Sequence, residues 1–541
     1  MNFTFFPKLL NMYVDLKNKY YVSFVIASLL VFHAINNYFI LTASSFQSIP
    51  DSITYFKGAC RLLSDIKIHT HNIWGVPLVA WQTLFSGMHD TRSPFFYLFA
   101  LPFININMDM NWAIMSNMIY FGIFLFSVYS LGKELYDSLE VGILAVFLVS
   151  FFPGTFAMSR FYMRDFALAA CLALNCYFFI KLLRSKGKNI FVMLFLTAFS
   201  IFAGLLVKEA YIYYLPLFPL FLCTRKEYNC KNNVAKIIFA IILGLAFSLT
   251  WYLQIDLRRF ATWRRTVMGL ETSGDMLFYV KRLYTIQLMP LFFALFVLSI
   301  IDYFRKKNTF ILITVILPIA VFSFVSANKD GRFIMPLFMF IALAIAQTTW
   351  TFFTKGRKII IATVLILSFL QYFSVTYGNG YFPAYAKLFP FPYENRWQND
   401  GLYGIVKIDN YKKTALRILN LIEASCKSRR DAKDVNIIVL DRENELYWAM
   451  EEVLPGSGAN MLYLERHYPD YNCDDLPLTG YSCKEDILAY NYVVSIRPPN
   501  FTWRNANNYY SNFIMNRKRF ILVDTVANSP EVQFDIYEKK K

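Results

Sequence analysis

Charged residues are scarce in this sequence. Asp, Glu, Lys and Arg make up 17% of its 541 residues, whereas soluble domains carry about 25%. Hydrophobic residues make up 56% of the sequence, and the mean hydropathy is +0.38. A soluble protein has too little interior to bury so much apolar surface, but a lipid bilayer solvates it. The composition therefore predicts an integral membrane protein.

Motifs for metals, nucleotides and nucleic acids are also missing. The eight cysteines show no C-x-x-C spacing, which excludes the common zinc and redox motifs. His69, His71, His89 and Asp90 share one loop without a recognised ligand spacing, so we expect solvated histidines there. The sequence requires no cofactor, although it leaves a divalent metal open. There is no Gly-rich nucleotide loop and no separate basic domain, so the net charge of +17 does not indicate nucleic-acid binding.

Long hydrophobic runs predict a polytopic α-helical bundle of about eleven spans, each near 20 residues long. The first run is too long for a signal peptide and lacks a cleavage site, so we expect a retained signal anchor. Four clusters of Lys and Arg between later spans fall on one side with this count, and the positive-inside rule assigns that side, with the N-terminus, to the cytoplasm. The predicted spans are 20–42, 112–131, 139–157, 165–182, 189–207, 209–223, 234–254, 288–303, 308–326, 332–350 and 358–376.

This topology divides the chain into a transmembrane domain, 1–376, and an extracytoplasmic domain, 377–541. Within the first domain, 43–111 is a long outer loop, and its apolar stretch Phe95–Ile104 is too short to span, which indicates an interfacial helix. The second domain has short β-like runs and a helical stretch from Tyr411, which favour an α/β fold. Cys473 and Cys483 there form either a disulfide or two free thiols.

Asp51 follows Pro50 just beyond the first span and precedes Tyr55. An ionised carboxylate at this membrane face is able to accept a proton from an acceptor hydroxyl. The alternative is an aspartate that caps the helix that follows, and the sequence leaves both interpretations open.

Cations and acids recur at the same predicted face. Arg160, Arg164 and Asp165 fall in a short connection between two spans. The two arginines are suited to bind a phosphate, and Asp165 is suited to orient their side chains. Lys208 interrupts an apolar run and Arg332 starts a late span, and each suits a phosphate contact. The alternatives are an interfacial Arg–Asp turn and a snorkelling lysine. The loop 255–287 is unexpectedly basic for an outer loop, and it suits anionic lipid or a lid.

The order of these motifs resembles the GT-C class of glycosyltransferases that use polyprenyl-phosphate sugars, in particular the protein O-mannosyltransferases and the lipid A aminoarabinose transferases. This chain departs from the family pattern at Ser52, where a glutamate is frequent, and at Glu209, where a glycine is usual. The residues that carry the resemblance are Pro50–Tyr55, Arg92–Tyr97, Ser159–Asp165, Leu206–Glu209 and Arg332–Pro336.

The resemblance implies inverting sugar transfer from a polyprenyl-phosphate donor to a lipid, glycan or protein acceptor at the outer face of the membrane. It implies Asp51 as the general base and Arg160, Lys208 and Arg332 as donor-phosphate ligands, with Tyr55, Arg164 and Asp165 in support. The expected location is a plasma membrane, namely the bacterial inner membrane.

Two other functions stay open. An O-antigen-type polymerase or ligase would share a lipid-linked donor and depend on arginines of a late loop. A lipid-linked saccharide flippase or transporter is disfavoured because no span centre carries paired charges and no two halves look alike.

Overall fold

The computed structural model describes most of the transmembrane region and the regular elements of the C-terminal region. The chain forms two compact units: Met1–Ile40, Leu62–Ala100 and Ile114–Ile405 make the first, and Leu41–Arg61, Leu101–Ala113 and Val406–Lys541 make the second. The predicted boundary at residues 376–377 stays a prediction. The described ranges are 5–43, 50–69, 94–224, 231–253, 275–325, 329–352, 356–377, 411–427, 435–440, 462–466, 492–497, 520–527 and 533–539.

The elements before residue 378 are helical throughout the described ranges. Six short 3-10 or π turns adjoin α-helices in the described ranges: Pro94–Phe99, Glu209–Tyr214, Leu222–Thr224, Leu283–Gln287, Leu312–Ile316 and Gly331–Leu337. In chain order the α-helices are α1 (Phe5–Ala43), α2 (Pro50–His69), α3 (Leu101–Ile106), α4 (Met110–Met115), α5 (Asn117–Tyr136), α6 (Leu139–Phe151), α7 (Pro153–Ser159), α8 (Arg164–Arg184), α9 (Asn189–Val207), α10 (Leu217–Phe221), α11 (Lys231–Tyr252), α12 (Phe278–Arg282), α13 (Met289–Arg305), α14 (Leu317–Val325), α15 (Phe338–Phe352) and α16 (Arg357–Tyr377).

Helical segments occupy all the predicted spans, but they differ in length. Within the described residues, seven helices are long and apolar enough to cross a membrane, and the bent pair α6–α7 raises the number to eight. The segments predicted at 209–223, 288–303 and 308–326 form shorter or broken helices. The predicted interfacial helix is divided between the turn Pro94–Phe99 and α3. The structure thus confirms a multi-pass helical fold.

A break separates α6 from α7. Phe152 adopts an extended conformation before Pro153, and the two helices meet at 66°. Proline suits the first position of a helix because its missing N–H needs no partner there. A turn of four residues after Ser159 then leads into α8, so two adjacent helix starts interrupt the membrane-spanning chain near one end of the bundle.

The opposite end of the same unit carries ion pairs among the predicted cytoplasmic cations. Lys181 and Arg184 contact Glu134 at 2.5 and 2.8 Å. Lys306 contacts Asp302 at 2.7 Å. These residues lie at the ends of α5, α8 and α13.

The C-terminal unit contains α17 (Tyr411–Lys427) and five strands. The sheet order is β2-β1-β3-β5-β4, with β1 parallel to β2 and β3, and β5 antiparallel to β3 and β4. This confirms the predicted α/β fold. Cys473 and Cys483 lie outside the described residues. The strands are β1 (Val435–Leu440), β2 (Leu462–Arg466), β3 (Tyr492–Arg497), β4 (Phe520–Ala527) and β5 (Gln533–Lys539).

Candidate active site

Asp165 and Lys208 form a buried ion pair at the start of α8. Asp165 lies in the first turn of that helix, where the helix dipole favours a carboxylate. Lys208 lies between α9 and the turn Glu209–Tyr214, in an extended conformation with φ −157° and ψ 130°. Its Nζ donates a hydrogen bond to Asp165 Oδ1 at 2.6 Å, and the two side chains are 13% and 2% exposed. The polar break in the apolar run therefore places Lys208 next to the carboxylate of Asp165 on α8.

A second ion pair joins the same two chain segments. Arg164 Nη1 lies 3.3 Å from Glu209 Oε2, and it also donates to the carbonyl of Val207 at 3.5 Å. Because Arg164 precedes Asp165 and Glu209 follows Lys208, two adjacent residues on each segment pair with two on the other. This arrangement fixes the start of α8 against the end of α9. Glu209, the departure from the family pattern, is thus the partner of a predicted site residue.

Arg332 is held in place by Asp330. Asp330 Oδ1 accepts the backbone N–H of Arg332 at 2.9 Å, while Oδ2 accepts from the guanidinium Nε at 2.6 Å. Arg332 Nη1 lies 3.8 Å from Met163 Sδ, just before α8. Both Arg332 and Arg164 are near enough to Asp165 to interact with its charge. Arg332 therefore belongs to the same cluster as Lys208.

Contacts from two other segments support this cluster. Gln287 donates a hydrogen bond to the carbonyl of Gly331 at 2.5 Å. Any Cβ at Gly331 would lie 2.8 Å from Gln287 Nε2, so glycine permits this close approach. Tyr214 donates its hydroxyl to the carbonyl of Phe333, and the Phe333 ring lies 5.3 Å from Lys208 Nζ. The chain around Arg332 is therefore held on both sides.

We define the charged cluster as Arg164, Asp165, Lys208, Glu209, Arg332 and Asp330. It contains three cations and three carboxylates, so its formal charges balance. Burial divides its members: the side chains of Asp165 and Arg164 are 2% and 5% exposed, whereas those of Lys208 and Arg332 are 13% and 16% exposed. An ammonium has three N–H donors, and Asp165 accepts from one in the described structure. The accessible side of the cluster is thus able to donate to an anion.

Arg160 lies apart from the charged cluster in its described contacts. Its side chain is buried, at 1% exposed, and donates to Asn37, Tyr372 and Thr376. A guanidinium buried in this way does not present its donors to an incoming phosphate. This geometry disfavours the predicted direct contact between Arg160 and the donor, which remains untested.

Asp51 and Tyr55 lie on α2, in the second compact unit. Asp51 is in the first turn of the helix, and its side chain lies outside the described part of the structure. Tyr55 is buried at 4% exposed. Burial, and secondarily the charge of Arg61, lower the pKa of Lys57 on the same helix to about 8. The predicted roles of Asp51 and Tyr55 remain predictions.

The remaining sequence predictions at this face concern a basic loop and a metal. Residues 254–274, which hold most of the loop's arginines, lie outside the described residues. Lys281, at the described end, contacts Asp275 at 2.8 Å. Among the residues that the structure describes, no group of three or more His, Cys, Asp or Glu is placed to hold a metal ion.

The sequence reading missed Asp330 as the partner of Arg332, although the two are separated by one residue. An aspartate before a glycine at a helix start is an N-cap signal that would have identified it. It also missed the buried polar residues Asn37, Asn117 and Tyr372. Each of these residues is a polar side chain within a hydrophobic span. Such a side chain is costly in a bilayer unless it has a hydrogen-bond partner, so its presence in the sequence indicates one.

Comparisons with known proteins agree with this architecture. Residues 91–252 match the family described as dolichyl-phosphate-mannose-protein mannosyltransferase. The fold is similar to the crystal structure of ArnT from Cupriavidus metallidurans bound to undecaprenyl phosphate, with TM-score 0.56 and 10% identity over 94% of this chain and 97% of that chain. The Archaeoglobus fulgidus oligosaccharyltransferase tethered with an acceptor peptide is similar at TM-score 0.45 and 13% identity, over 79% of this chain and 63% of that chain. No curated protein sequence matches the chain significantly.

The family match includes four of the predicted site residues, Arg160, Arg164, Asp165 and Lys208, while Asp51 and Arg332 lie outside it. At 10% identity, the similarity to ArnT shows the fold. Because it extends over 94% of the chain, it includes the C-terminal region as well as the membrane helices. The protein is a multi-pass membrane protein with a GT-C fold, and its resemblance to the GT-C glycosyltransferases is confirmed.

Proposed function

We propose that this protein is an inverting glycosyltransferase that moves a sugar from a polyprenyl-phosphate donor to a hydroxyl of a lipid, glycan or protein acceptor. The observation that carries the proposal is the placement of Lys208 and Arg332 beside Asp165, at one end of a GT-C bundle. Two partly accessible cations from different helices converge there on a buried carboxylate. Such a site suits an anion whose charge changes during a reaction.

The donor phosphate supplies that change. In the donor it is a diester with one negative charge, whereas the leaving group is a monoester with a charge of about −1.5 to −2 at neutral pH. Lys208 and Arg332 bind both forms, and they bind the second more strongly because it carries more charge. Contacts that strengthen in this way lower the barrier to transfer rather than only aiding binding.

Asp51 completes the reaction in this proposal. Its carboxylate takes the proton of the acceptor hydroxyl while the hydroxyl oxygen forms a bond to the anomeric carbon. The bond from that carbon to the phosphate oxygen breaks, and the phosphate leaves with the electron pair. Attack opposite the leaving group inverts the anomeric centre. Tyr55, one helical turn beyond Asp51, supports the acceptor side.

The charge distribution supports an outward-facing site. Lys181, Arg184 and Lys306 gather at the bundle end opposite the charged cluster. The positive-inside rule assigns that end to the cytoplasm. The charged cluster then faces outward, in a plasma membrane for which we propose the bacterial inner membrane, and the apolar helices receive the polyprenyl chain. That ArnT was crystallised with undecaprenyl phosphate supports a lipid phosphate as the ligand here.

Mass spectrometry of cells with and without the gene tests the proposal. Glycolipids, envelope glycans and envelope proteins are compared between the wild type, a deletion and a deletion that expresses the Lys208→Met variant. We expect one sugar modification to disappear in the deletion and to stay absent with the variant. An unchanged modification profile, or full restoration by Lys208→Met, would count against transfer at this site. A complete glycan that accumulates on the wrong side of the membrane would instead indicate a flippase.

A further inference from the structure

A second buried polar group lies on the turn that precedes the charged cluster. Arg160 Nε donates to Asn37 Oδ1 at 3.0 Å. Its Nη2 donates to the hydroxyl of Tyr372 at 3.0 Å and to that of Thr376 at 3.3 Å. Asn37 belongs to α1, and Tyr372 and Thr376 belong to α16. One side chain thus connects the first span and the last span of the bundle through the turn after α7.

Two asparagines bind the same turn. Asn37 Nδ2 donates to Ser159 Oγ at 2.9 Å. Asn117 Nδ2 donates to the carbonyls of Ser159 and Phe161 at 3.2 and 2.7 Å. Carbonyls of a non-helical turn inside a membrane protein need partners, since no water is available in the bilayer core. We call Asn37, Asn117, Arg160 and Tyr372 the polar clamp.

Aromatic rings enclose the guanidinium of the clamp. It lies 4.8 Å from the centroid of the Phe156 ring and 5.7 Å from that of Tyr372. Cation–π contacts of this kind stabilise a buried cation. The side chain of Arg160 is 1% exposed, and the partners that the structure describes for it are protein groups.

The turn held by the clamp ends at the charged cluster. Three residues separate Arg160 from Arg164, and Met163 contacts Arg332 through its sulfur. A shift of the turn therefore moves Asp165 relative to Lys208 and Arg332 together. Errors of about 1 Å in a reacting geometry are enough to reduce rates about 100-fold.

We propose that Arg160 is a positioning residue that acts, with Asn37, Asn117 and Tyr372, through the turn 160–163 on the Asp165–Lys208 pair. This inference rests on the proposed function. It replaces a direct phosphate contact by Arg160 with an indirect effect on the residues that make that contact.

Tyrosine-to-phenylalanine changes on α16 provide a matched test. Tyr372→Phe removes one hydroxyl of the clamp and keeps the ring. Tyr377→Phe removes a hydroxyl that donates to Asn36, on the same pair of helices but outside the clamp. We measure kcat/KM for donor turnover and the binding of polyprenyl phosphate for the wild type and both variants, and we repeat Tyr372→Phe in a Lys208→Met background.

We expect Tyr372→Phe to lower kcat/KM about fivefold, which corresponds to the loss of one hydrogen bond. Tyr377→Phe stays within twofold of the wild type. In the Lys208→Met background, Tyr372→Phe causes no further loss, because the clamp acts through Lys208. Additive losses, or equal effects of the two tyrosine variants, would overturn the proposal. A tenfold loss of polyprenyl-phosphate binding on Arg160→Lys, with Tyr372→Phe neutral, would restore Arg160 as a ligand.

Thermal unfolding separates failure of the clamp from failure of the proposed function. A double-mutant cycle of Arg160→Met and Tyr372→Phe, measured in detergent, reports their coupling without any donor. We expect the second change to cost less stability when the first is present. Wild-type protein that neither binds nor turns over a polyprenyl-phosphate donor would reject the proposed function and, with it, the positioning role. A cycle without coupling would reject the clamp itself, even in an active enzyme.

Discussion

The carboxylate of Asp165 and the ammonium of Lys208 lie 2.6 Å apart, although Asp165 is in the first turn of α8 and Lys208 follows the end of α9, 43 positions later in the sequence. Asp165 is buried and Lys208 is 13% exposed, and both belong to the charged cluster with Arg164, Glu209 and Arg332. Removal of either partner leaves a buried charge without its counterion. The pair therefore combines a structural role with the proposed role of Lys208 in phosphate binding, and experiments must separate the two.

The first prediction uses a paired substitution for this purpose. Lys208→Met alone is expected to lower the free energy of unfolding by about 3–5 kcal/mol, because Asp165 stays buried without its partner. Adding Asp165→Leu removes the remaining charge and restores much of the stability. Donor binding and turnover stay at least about 100-fold below the wild type in both variants, since the phosphate contact is gone. Thermal unfolding and donor turnover are measured on the same samples.

Lys181→Met is the matched control. Lys181 also pairs with a carboxylate, Glu134, but at the other end of the bundle, and its side chain is 37% exposed. An exposed pair contributes at most about 1 kcal/mol. Turnover should be unchanged. If the variant that combines Lys208→Met with Asp165→Leu recovered turnover as well as stability, Lys208 would not be a ligand of the phosphate.

The second prediction concerns the guanidinium group of Arg332. Arg332→Lys keeps the positive charge but lacks the planar guanidinium whose N–H groups Asp330 orients. The affinity for the polyprenyl-phosphate sugar is therefore expected to fall about tenfold. Arg332→Gln also loses the charge and is expected to fall further, by about 100-fold. Lys329→Gln serves as the control, because Lys329 donates to the carbonyl of Asp275. Equal losses at positions 329 and 332 would indicate a general effect of positive charge.

Hydrophobic periodicity was sufficient to predict the helical fold and the α/β tail. It did not predict where the helices break, because an apolar run of the right length does not reveal a break. The run at 209–223 is divided into short helices after Lys208, and Pro153 bends the run at 139–157 by 66°. Hydropathy averages over such breaks, which are where the site residues lie.

The charged cluster was predicted in part. Charged residues at predicted helix ends identified Lys208, Asp165 and Arg332, since charge near a membrane is costly and seldom incidental. Their pairing was not predictable, because it depends on which helices are neighbours. Arg160 shows the converse. Its positive charge led to the prediction of a phosphate contact. In the structure it instead hydrogen-bonds Asn37 and Tyr372, which come from the first and last spans.

The third prediction is a pH dependence that arises from Lys57. Its folded pKa of about 8 lies below the usual 10.5. Between these values the unfolded chain binds more protons than the folded chain, so stability rises with pH across this window, by at most about 3 kcal/mol. Lys57→Met removes this contribution. Melting temperatures between pH 7 and 10 should show the variant more stable at pH 7 and its advantage shrinking as pH rises. A constant difference would mean that Lys57 titrates normally.

The fourth prediction tests the orientation. A cysteine introduced at Ser457, in the C-terminal region, should react with an impermeant maleimide in intact spheroplasts. A cysteine at Lys186, between α8 and α9, is the opposite control and should react only after lysis. The reverse pattern would place the charged cluster on the cytoplasmic side and would overturn the proposed outer site.

The fifth prediction concerns Asp51 as the base. Asp51→Asn should reduce transfer at least about 100-fold while expression and membrane insertion stay normal, because the amide cannot accept the acceptor proton. Asp65→Asn, which changes the other aspartate of α2, is the matched control and should keep wild-type turnover. Near-normal turnover of Asp51→Asn would remove Asp51 from the mechanism.

The release of the lipid carrier is the most direct test of sugar transfer from a polyprenyl phosphate. Purified protein in lipid is incubated with a cell lipid extract that contains polyprenyl-phosphate sugars and with the acceptor fraction. Mass spectrometry then follows the free carrier over time. We predict that the wild type releases polyprenyl monophosphate in step with loss of the sugar-linked form, and that Asp51→Asn and Lys208→Met do not. Release of a diphosphate carrier, or equal release by all three proteins, would contradict the proposed reaction.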